Sequence, residues 1–270
     1  MKKVVSLILV LMLVLSALCG AMADALSDIQ AKGKLVVGAS VGFPPYEFYF
    51  TNPETNQEEY AGFDMELAKG VAAYLGVELE IADQSFAGLI TALRAGEIDM
   101  IISGMAIKPE RKEQIDFSIP YYTGTQIMLV KAEDYDTLTT VADMKGKAVG
   151  AQMGTLQAGI LEEQFADSEP MEIDQVALLV LNLLQGQLDG VLLTDLVAKT
   201  YISLNPGKLA ISQIPVEYDN AAGVGIGVAK GDNETLLAAV NEYLTMVLSD
   251  GTFDSWIDDA TAKNGMLLNN

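Results

Sequence analysis

The chain has 270 residues, half of them apolar, which is enough for one large domain or for two lobes with real cores. Its net charge of −21 comes from 37 acidic and 16 basic residues, so its surface repels nucleic acid and anionic membranes. It has no histidine and one cysteine, so the commonest metal ligand and general base is missing. We predict no nucleic-acid partner, no metal and no other cofactor.

The N terminus has the pattern of a secretory signal peptide. Two lysines precede an apolar run at 4–18, and small residues around Ala23 suit a cleavage site. A second route is lipidation at Cys19, but the residue before it is Leu18, where a lipoprotein signal needs a small side chain. Residues 1–23 are therefore predicted to be removed, and lipidation at Cys19 is the less favoured alternative. No later stretch is apolar enough to cross a membrane.

The first part of the remaining chain alternates strand and helix, which indicates an α/β fold with a parallel type of sheet. Apolar residues follow helical spacing in two segments and strand spacing in three. The predicted elements are a strand at 35–39, a proline-containing loop at 43–46, a helix that begins at Asp64 and stops at Gly76, a strand at 77–81, a helix capped by Ser85 and stopped by Gly96, and a strand at 98–102.

The same pattern occurs a second time about 100 residues later. The segment 33–39 (GKLVVGA) is similar to 146–151 (GKAVGA), and 93–101 (LRAGEIDMI) is similar to 184–192 (LQGQLDGVL). A period of this length is too long for a solenoid repeat, so it predicts two similar α/β lobes with a cleft between them.

Two extended segments can connect the lobes. They lie at 121–130 and 214–228, and the second precedes the last predicted helices, at 236–248. If both segments cross, they form a hinge and the C-terminal part returns to the first lobe. The predicted organisation is a signal peptide at 1–23, lobe 1 at 24–123, lobe 2 at 124–217 and a return to lobe 1 at 218–270.

Arg111 is the first candidate binding residue. It follows Pro109, which suits the first turn of a helix just after a predicted strand. A guanidinium group there can hold a carboxylate through two hydrogen bonds, with the N–H groups of Gly104 and Ala106 as further donors. The alternative is a solvated arginine in an exposed turn.

Other candidates follow the ends of predicted strands, where side chains reach the cleft of an open α/β sheet. Phe43 stands beside prolines in a loop and suits a ligand wall, whereas Phe86 suits the wall or the core. Thr155 can hold a carboxylate at a helix N terminus or merely cap that helix. Asp195, next to Thr194, can pair with an ammonium group or cap a helix.

Several passages, in this order and spacing, resemble the amino-acid-binding solute receptors of bacterial ABC importers, family 3 of the extracellular substrate-binding proteins. The resemblance runs from Gly33 to about Asp258. Its most specific passages are 37–40 (VGAS) with 43–46 (FPPY), 62–67 (GFDMEL), 86–90 (FAGLI) with 96–99 (GEID), 103–107 (SGMAI) through Arg111, and 116–122 (DFSIPYY).

This resemblance implies a type II periplasmic-binding-protein fold, with a ligand cleft between lobes that are joined by two hinge crossings. It implies that Arg111 holds the α-carboxylate of the ligand, together with the main chain at Gly104 and Ala106 and with Thr155 from the other lobe. Phe43 and Phe86 would line the slot for the ligand side chain. Ser103, in the same passage as Gly104, is included in the predicted site.

Two positions depart from the family pattern. Thr194 stands where the family usually has an acid for the ligand ammonium, and Asp195 is next in line. Relatives for basic or amide side chains often have an acid in place of Ser40, so a neutral amino acid is the expected ligand. A ligand without a free α-amine stays open.

The predicted function is that of an exported receptor, periplasmic or associated with the cell surface, that closes on an amino acid and delivers it to an ABC permease. The family's usual state is a monomer. The alternative is an enzyme on the same fold, such as a cyclohexadienyl (prephenate or arogenate) dehydratase. In that case Asp195 or Glu217 would act as acid or base. The absence of histidine argues against the enzyme.

Overall fold

The structure, a computed structural model, describes residues 24–218 and 222–266. The predicted signal peptide at 1–23 and the possible lipidation site at Cys19 lie outside the described residues. The described part has two five-stranded sheets, each covered by helices, and one two-stranded hairpin.

The helices and strands follow one another in three groups. The first group is α1 (Ala25–Lys32), β1 (Lys34–Ala39), β2 (Phe48–Thr51), β3 (Glu58–Ala61), α2 (Phe63–Leu75), β4 (Glu78–Asp83), α3 (Leu89–Ala95), β5 (Met100–Ile101), α4 (Pro109–Lys112) and β6 (Ile115–Phe117). The second is β7 (Gln126–Lys131), β8 (Ala148–Gln152), α5 (Leu156–Gln164), β9 (Glu169–Ile173), α6 (Val176–Leu184), β10 (Gly190–Thr194), α7 (Asp195–Leu204) and β11 (Leu209–Ile211). The third is β12 (Gly227–Ala229), α8 (Glu234–Ser249) and α9 (Thr252–Met266).

The sheet order shows how the chain passes between the lobes. The first sheet has the order β4-β1-β5-β12-β6, and the second has the order β11-β7-β10-β8-β9. In the first sheet β4, β1 and β5 are parallel, and β12, which follows the second crossing, is antiparallel to β5. In the second sheet β10, β8 and β9 are parallel, and β7, which follows the first crossing, is antiparallel to β10. Because β12 lies in the first sheet, the chain crosses twice, between β6 and β7 and between β11 and β12. The two-lobed α/β fold is confirmed, while the lobe boundaries at 123 and 217 stay predictions.

In both lobes an aspartate side chain forms a hydrogen bond with the backbone near the start of a strand. In lobe 1 the Asp99 carboxylate accepts a hydrogen bond of 2.7 Å from the Val36 N–H. In lobe 2 the Asp189 carboxylate accepts one of 2.9 Å from the Ala148 N–H. Each aspartate belongs to one of the two passages that are similar in sequence. The internal similarity is therefore also a similarity of hydrogen bonding.

The predicted apolar face of α2 is buried, as its helical spacing requires. All five residues of that face are at most 5 % exposed: Leu67, Ala68, Val71, Ala72 and Leu75. Gly76 ends the helix at φ 75°, a left-handed backbone conformation that glycine adopts without steric cost. Periodicity thus predicted this helix to within one residue at its start.

Two local predictions differ from the structure. Ser85 does not cap a helix through its side chain, because its hydroxyl donates instead to Asp174 of lobe 2, at 2.6 Å. A 3-10 turn at Phe86–Gly88 comes before α3. The strand predicted at 98–102 is shorter in the structure, where β5 comprises only Met100–Ile101. Before it, the Asp99 side chain accepts from the backbone of β1, and after it the chain turns toward the cleft.

The C-terminal helix α9 contacts both lobes. It packs against α2 and α8 of lobe 1 and against α7 of lobe 2. Thr261 and Asn264 of α9 line a small surface depression together with Lys199 and Thr200 of α7. Within residues 24–218 and 222–266, no helix is both long and apolar enough to cross a membrane.

Gly62 gives a test of the loop that precedes α2. Its φ is 122°, and a Cβ atom there would overlap the carbonyl oxygen of Tyr46. We expect Gly62→Ala to lower the free energy of unfolding by about 3 kcal/mol or more, through the strained φ and the overlap together. Gly186→Ala is the control, because Gly186 has φ 73° but no atom within 4 Å of a Cβ, and about 1 kcal/mol is expected. Urea unfolding measures both; equal losses would contradict the proposed overlap.

Candidate functional site

A cavity of about 460 Å³ lies between the two lobes. Nine of the ten predicted site residues line it: Ser40, Phe43, Phe86, Ser103, Gly104, Ala106, Arg111, Thr155 and Thr194. Six further residues complete its wall: Glu47, Gln126, Gln152, Leu156, Gln157 and Val224.

Arg111 is buried in this cavity and is not the solvated arginine of the alternative interpretation. It is 6 % exposed, and its guanidinium donates to the carbonyl oxygens of Ala106, at 2.7 Å, and of Gly154 in lobe 2, at 3.1 Å. Burial lowers the pKa of Arg111 to about 10, so the group stays charged at neutral pH. Among the described residues no carboxylate oxygen lies within 4.0 Å of it.

The two predicted aromatic residues have different environments. The Phe86 ring lies under Arg111, with the guanidinium carbon 5.4 Å from the ring centroid, so it supports the cation as well as the cavity wall. Phe43 packs on Tyr46 with ring centroids 5.0 Å apart and keeps part of its surface open to the cavity. Phe86 is thus both a core residue and a wall residue.

Lobe 2 contributes the N terminus of α5 to the cavity. Thr155 caps this helix, since its hydroxyl oxygen accepts from the Ala158 N–H at 3.3 Å and its hydroxyl donates to the Gln152 carbonyl at 2.6 Å. The residues that follow, Leu156 and Gln157, line the cavity at the end of the helix where backbone N–H groups lack helical partners. Thr155 therefore caps α5 and lines the cavity, and its hydroxyl proton is donated to Gln152. That it helps to hold a ligand carboxylate stays a prediction.

Three glutamine side chains make the lobe 2 wall polar but neutral. Gln157 donates through Nε2 to Gln126 Oε1 at 2.8 Å, and Gln152 donates through Nε2 to the Asp174 carbonyl at 2.9 Å. The amide atoms that these bonds leave over can bind a polar ligand group.

The lobe 1 side of the cavity contains a pair of buried acids, Glu47 in the wall itself and Asp64 outside it. Glu47 Oε1 accepts from the Ser103 hydroxyl at 2.6 Å, and the Ser103 oxygen accepts from the Ser40 N–H at 3.0 Å. Asp64 Oδ2 accepts from the Gly104 N–H at 2.7 Å and from the Tyr121 hydroxyl at 2.9 Å. Two acids therefore hold the loop at Ser103 and Gly104 that faces the cavity. The Gly104 N–H, predicted to donate to a ligand carboxylate, is instead bonded to Asp64.

Burial raises the pKa values of both acids. The pKa of Asp64 rises to about 7, although the bonds from Gly104 and Tyr121 oppose the shift. The pKa of Glu47 rises well above its usual value, first through burial and then through the neighbouring Asp64.

Asp195 is the one predicted site residue that lies outside the cavity. Thr194 ends β10 and lines the cavity, whereas Asp195 begins α7 and does not, although both side chains lie close to Gly124. The Asp195 Oδ1 atom is buried and has no hydrogen-bond partner among the described residues. The Asp195 carboxylate pairs with Lys199 at 2.7 Å, one helical turn later. Glu217, the other acid considered for catalysis, is exposed and also lies outside the cavity wall.

The sequence arguments missed the six further wall residues. Glu47 directly follows the proline loop that was singled out, and Gln152 ends the strand whose N-terminal half was matched to lobe 1. The sequence could have indicated both residues, Glu47 because it follows a motif of the cleft and Gln152 because it ends a strand. For Val224 and Gln126 there was none, because they reach the cavity from the hinge segments.

The lobes touch at the rim of the cavity. Ser85 binds Asp174, and Arg111 binds the Gly154 carbonyl. Gly154 also lies against Ala87, because a Cβ atom on Gly154 would be 3.0 Å from the Ala87 Cβ. These contacts define a closed arrangement. No group of three or more histidine, cysteine or acidic residues that could hold a metal occurs in the described part of the chain.

Comparison with known families identifies the architecture. A model of the bacterial extracellular solute-binding proteins, family 3, matches residues 35–259. The chain belongs to this family. It is 32 % identical over 232 residues to ABC transporter arginine-binding protein 1 of Escherichia coli (strain K12). The matched region covers 84 % of this chain and 92 % of that protein.

Solved structures agree with this assignment. The substrate-binding protein AbpA from Streptococcus pneumoniae, bound to L-arginine, has a TM-score of 0.84 and 33 % identity, over 88 % of this chain and 98 % of that one. The ancestral amino-acid-binding protein AncCDT-1, a precursor of cyclohexadienyl dehydratase, has a TM-score of 0.79 and 29 % identity, over 88 % and 100 %.

These similarities confirm the resemblance to amino-acid-binding receptors of ABC importers and the type II two-lobed fold. They also confirm that the chain is a binding protein and not an enzyme.

The contact between Gly154 and Ala87 gives a test of closure. Ala87 is exposed on lobe 1, so Ala87→Trp should leave that lobe folded while it separates the lobes at the rim. We expect a larger radius of gyration by X-ray scattering and a weaker response to amino acids in thermal unfolding. Ala73→Trp, at an exposed position of α2, is the control and should leave both unchanged. An unchanged radius in Ala87→Trp would exclude this contact in solution.

Proposed function

We propose that this chain is the exported receptor of an amino-acid importer, and that it captures an amino acid with a neutral side chain by closing its two lobes. The observation that carries the proposal is Arg111, a buried cation in the cleft with no carboxylate within reach among the described residues. A buried charge needs a partner, and a ligand carboxylate supplies it.

The groups around Arg111 suit a carboxylate. Its guanidinium is held by two carbonyl oxygens and by the Phe86 ring, which keep it in place but do not neutralise it. The N terminus of α5 faces the same cavity and adds the positive end of a helix dipole. A ligand carboxylate between Arg111 and Thr155 would therefore bind both lobes at once and favour the closed state.

The cavity wall supports a neutral ligand side chain. Among the described wall residues only Arg111 and Glu47 are charged, and one Glu47 oxygen accepts from Ser103. Ser40 and the three glutamines of lobe 2 offer hydrogen bonds without charge, and Phe43 offers an apolar surface. Neutral side chains that are polar or modestly apolar match this combination.

The family membership supports export and delivery to a permease. Residues 1–23 carry the signal-peptide pattern, and release after Ala23 is the proposed route, with lipidation at Cys19 as the second. The receptor acts as a monomer that docks on the membrane subunits of an ABC importer and releases its ligand there unchanged.

Replacement of Arg111 tests the carboxylate anchor. We expect Arg111→Ala to weaken the binding of L-glutamine or any other bound amino acid by roughly 30- to 1000-fold, since a charged, buried hydrogen-bonded pair contributes about 2–4 kcal/mol. Arg94→Ala is the matched control, because Arg94 is an exposed arginine bonded only to Gln114. Isothermal calorimetry measures both variants; equal affinities would remove Arg111 as the anchor.

Side-chain selectivity is tested by thermal unfolding with each of the twenty amino acids. A ligand present at 100 times its dissociation constant adds about 2.7 kcal/mol of stability. We expect neutral polar amino acids to raise the melting temperature more than L-arginine or L-lysine do. Ser40→Asp should shift the preference toward L-arginine, because it adds a carboxylate to the wall. Tight binding of L-arginine to the unaltered protein would refute the neutral-side-chain proposal.

A further inference from the structure

Among the described residues, no acid of lobe 2 lines the cavity to bind a ligand ammonium group. Thr194 lines the wall and carries no charge, and Asp195 is not among the wall residues and pairs through Oδ2 with Lys199. The only carboxylate among the wall residues is Glu47, from lobe 1.

Glu47 has an oxygen atom that no protein group uses. It is 1 % exposed, and its Oε1 is bonded to the Ser103 hydroxyl, whereas its Oε2 is buried with no hydrogen-bond partner among the described residues. A buried carboxyl oxygen without a donor is costly, so a donor from the cavity would stabilise it.

Glu47 has acidic neighbours, and among the described residues Arg111 is the one cation that lines the same cavity. Asp64 at the start of α2 and Asp83 at the end of β4 both raise the pKa of Glu47, and Tyr46 and Tyr121 face the same interior. Asp64 Oδ1 is likewise buried and unpartnered. No lysine or arginine nitrogen lies within 4.0 Å of either acid in the described part of the chain.

Two carboxyl groups in such a place cannot both ionise at little cost, so together they retain a proton near neutral pH. Burial raises the pKa of Asp64 to about 7 and that of Glu47 well above its usual value, which is the direction that this crowding requires.

We propose that Glu47 binds the ligand's ammonium group in place of an acid at position 194, and that ligand capture thereby releases to solvent the proton that Glu47 and Asp64 hold together. This inference rests on the proposed amino-acid function. The ammonium group keeps its three protons and donates one hydrogen bond to Glu47 Oε2, while the displaced proton goes to the buffer.

The sign of the pH dependence follows from this exchange. A binding reaction that releases one proton becomes tighter by up to tenfold for each unit of pH rise while the free protein holds that proton. The affinity should therefore rise from about pH 5 to about pH 7, and it should level off once the free pair has lost its shared proton.

The test measures proton release directly by calorimetry. L-Glutamine and L-arginine carry the same α-ammonium group, and each is titrated at pH 6.5 in two buffers that differ in ionisation enthalpy. We expect the observed heat to depend on the buffer, with about one proton released for each amino acid bound. Glutaramic acid, which has the glutamine side chain and a carboxylate but no amine, should release none. Buffer-independent heats for the amino acids would overturn the proposal.

A variant pair gives an independent check. Glu47→Gln should abolish the proton release and weaken amino-acid binding by roughly 10- to 100-fold, with no loss for glutaramic acid. Thr194→Asp in the Glu47→Gln background should restore amino-acid affinity without proton release, because it returns a carboxylate to lobe 2. Unchanged affinity in Glu47→Gln would overturn the role of Glu47, and because the unaltered protein is also titrated, a folding defect in the variant leaves the test decisive.

The two proposals fail in different ways. If an amino acid binds, Arg111→Ala abolishes binding and no proton is exchanged, then the receptor function stands and the role of Glu47 does not. If no amino acid binds at all, the proposed function fails first and the role of Glu47 fails with it.

Discussion

The site depends on a buried guanidinium group that has no carboxylate oxygen within 4.0 Å among the described residues. Arg111 lies where the lobes meet, and the atoms that hold it are carbonyl oxygens from both lobes and the face of Phe86. These contacts fix its direction and only partly replace water, so the closed arrangement favours a ligand that brings a negative charge. Closure and recognition are thus one physical requirement: the cation is buried when the lobes meet, and the ligand compensates that burial.

The rest of the cleft is arranged around this cation with few formal charges. The surface of the protein is strongly acidic, but the cavity wall has one cation and one acid, and its other polar groups are neutral. A small enclosed site is governed by these few groups, because water and salt screen charges on the outer surface within about 8–10 Å. The acid belongs to a crowded pair, which makes its charge responsive to what enters the cleft.

The fold could be predicted because the sequence contains the same pattern of strands and helices twice. Helical spacing of apolar residues in α2, the glycine that ends it, and the duplicated aspartates Asp99 and Asp189 are local signals, and the structure follows them. The wall residues predicted from the family pattern meet in one cavity because most of them follow the ends of strands, and these ends face the cleft. Gln126, Val224 and the pairing of Ser85 with Asp174 were not predictable, because they depend on how two lobes meet and no local pattern records that distance.

The helix α9 has a consequence for how affinity is distributed over the molecule. It contacts α2 on one lobe and α7 on the other, and none of the residues that line the cavity belongs to it, so it contributes to the closed arrangement whether or not a ligand is present. The measured affinity of a hinged receptor is the intrinsic affinity of its closed form reduced by the fraction of molecules that are closed. Selection can therefore tune the strength of capture through the C-terminal helix while it leaves the choice of ligand, which is made in the cleft, untouched.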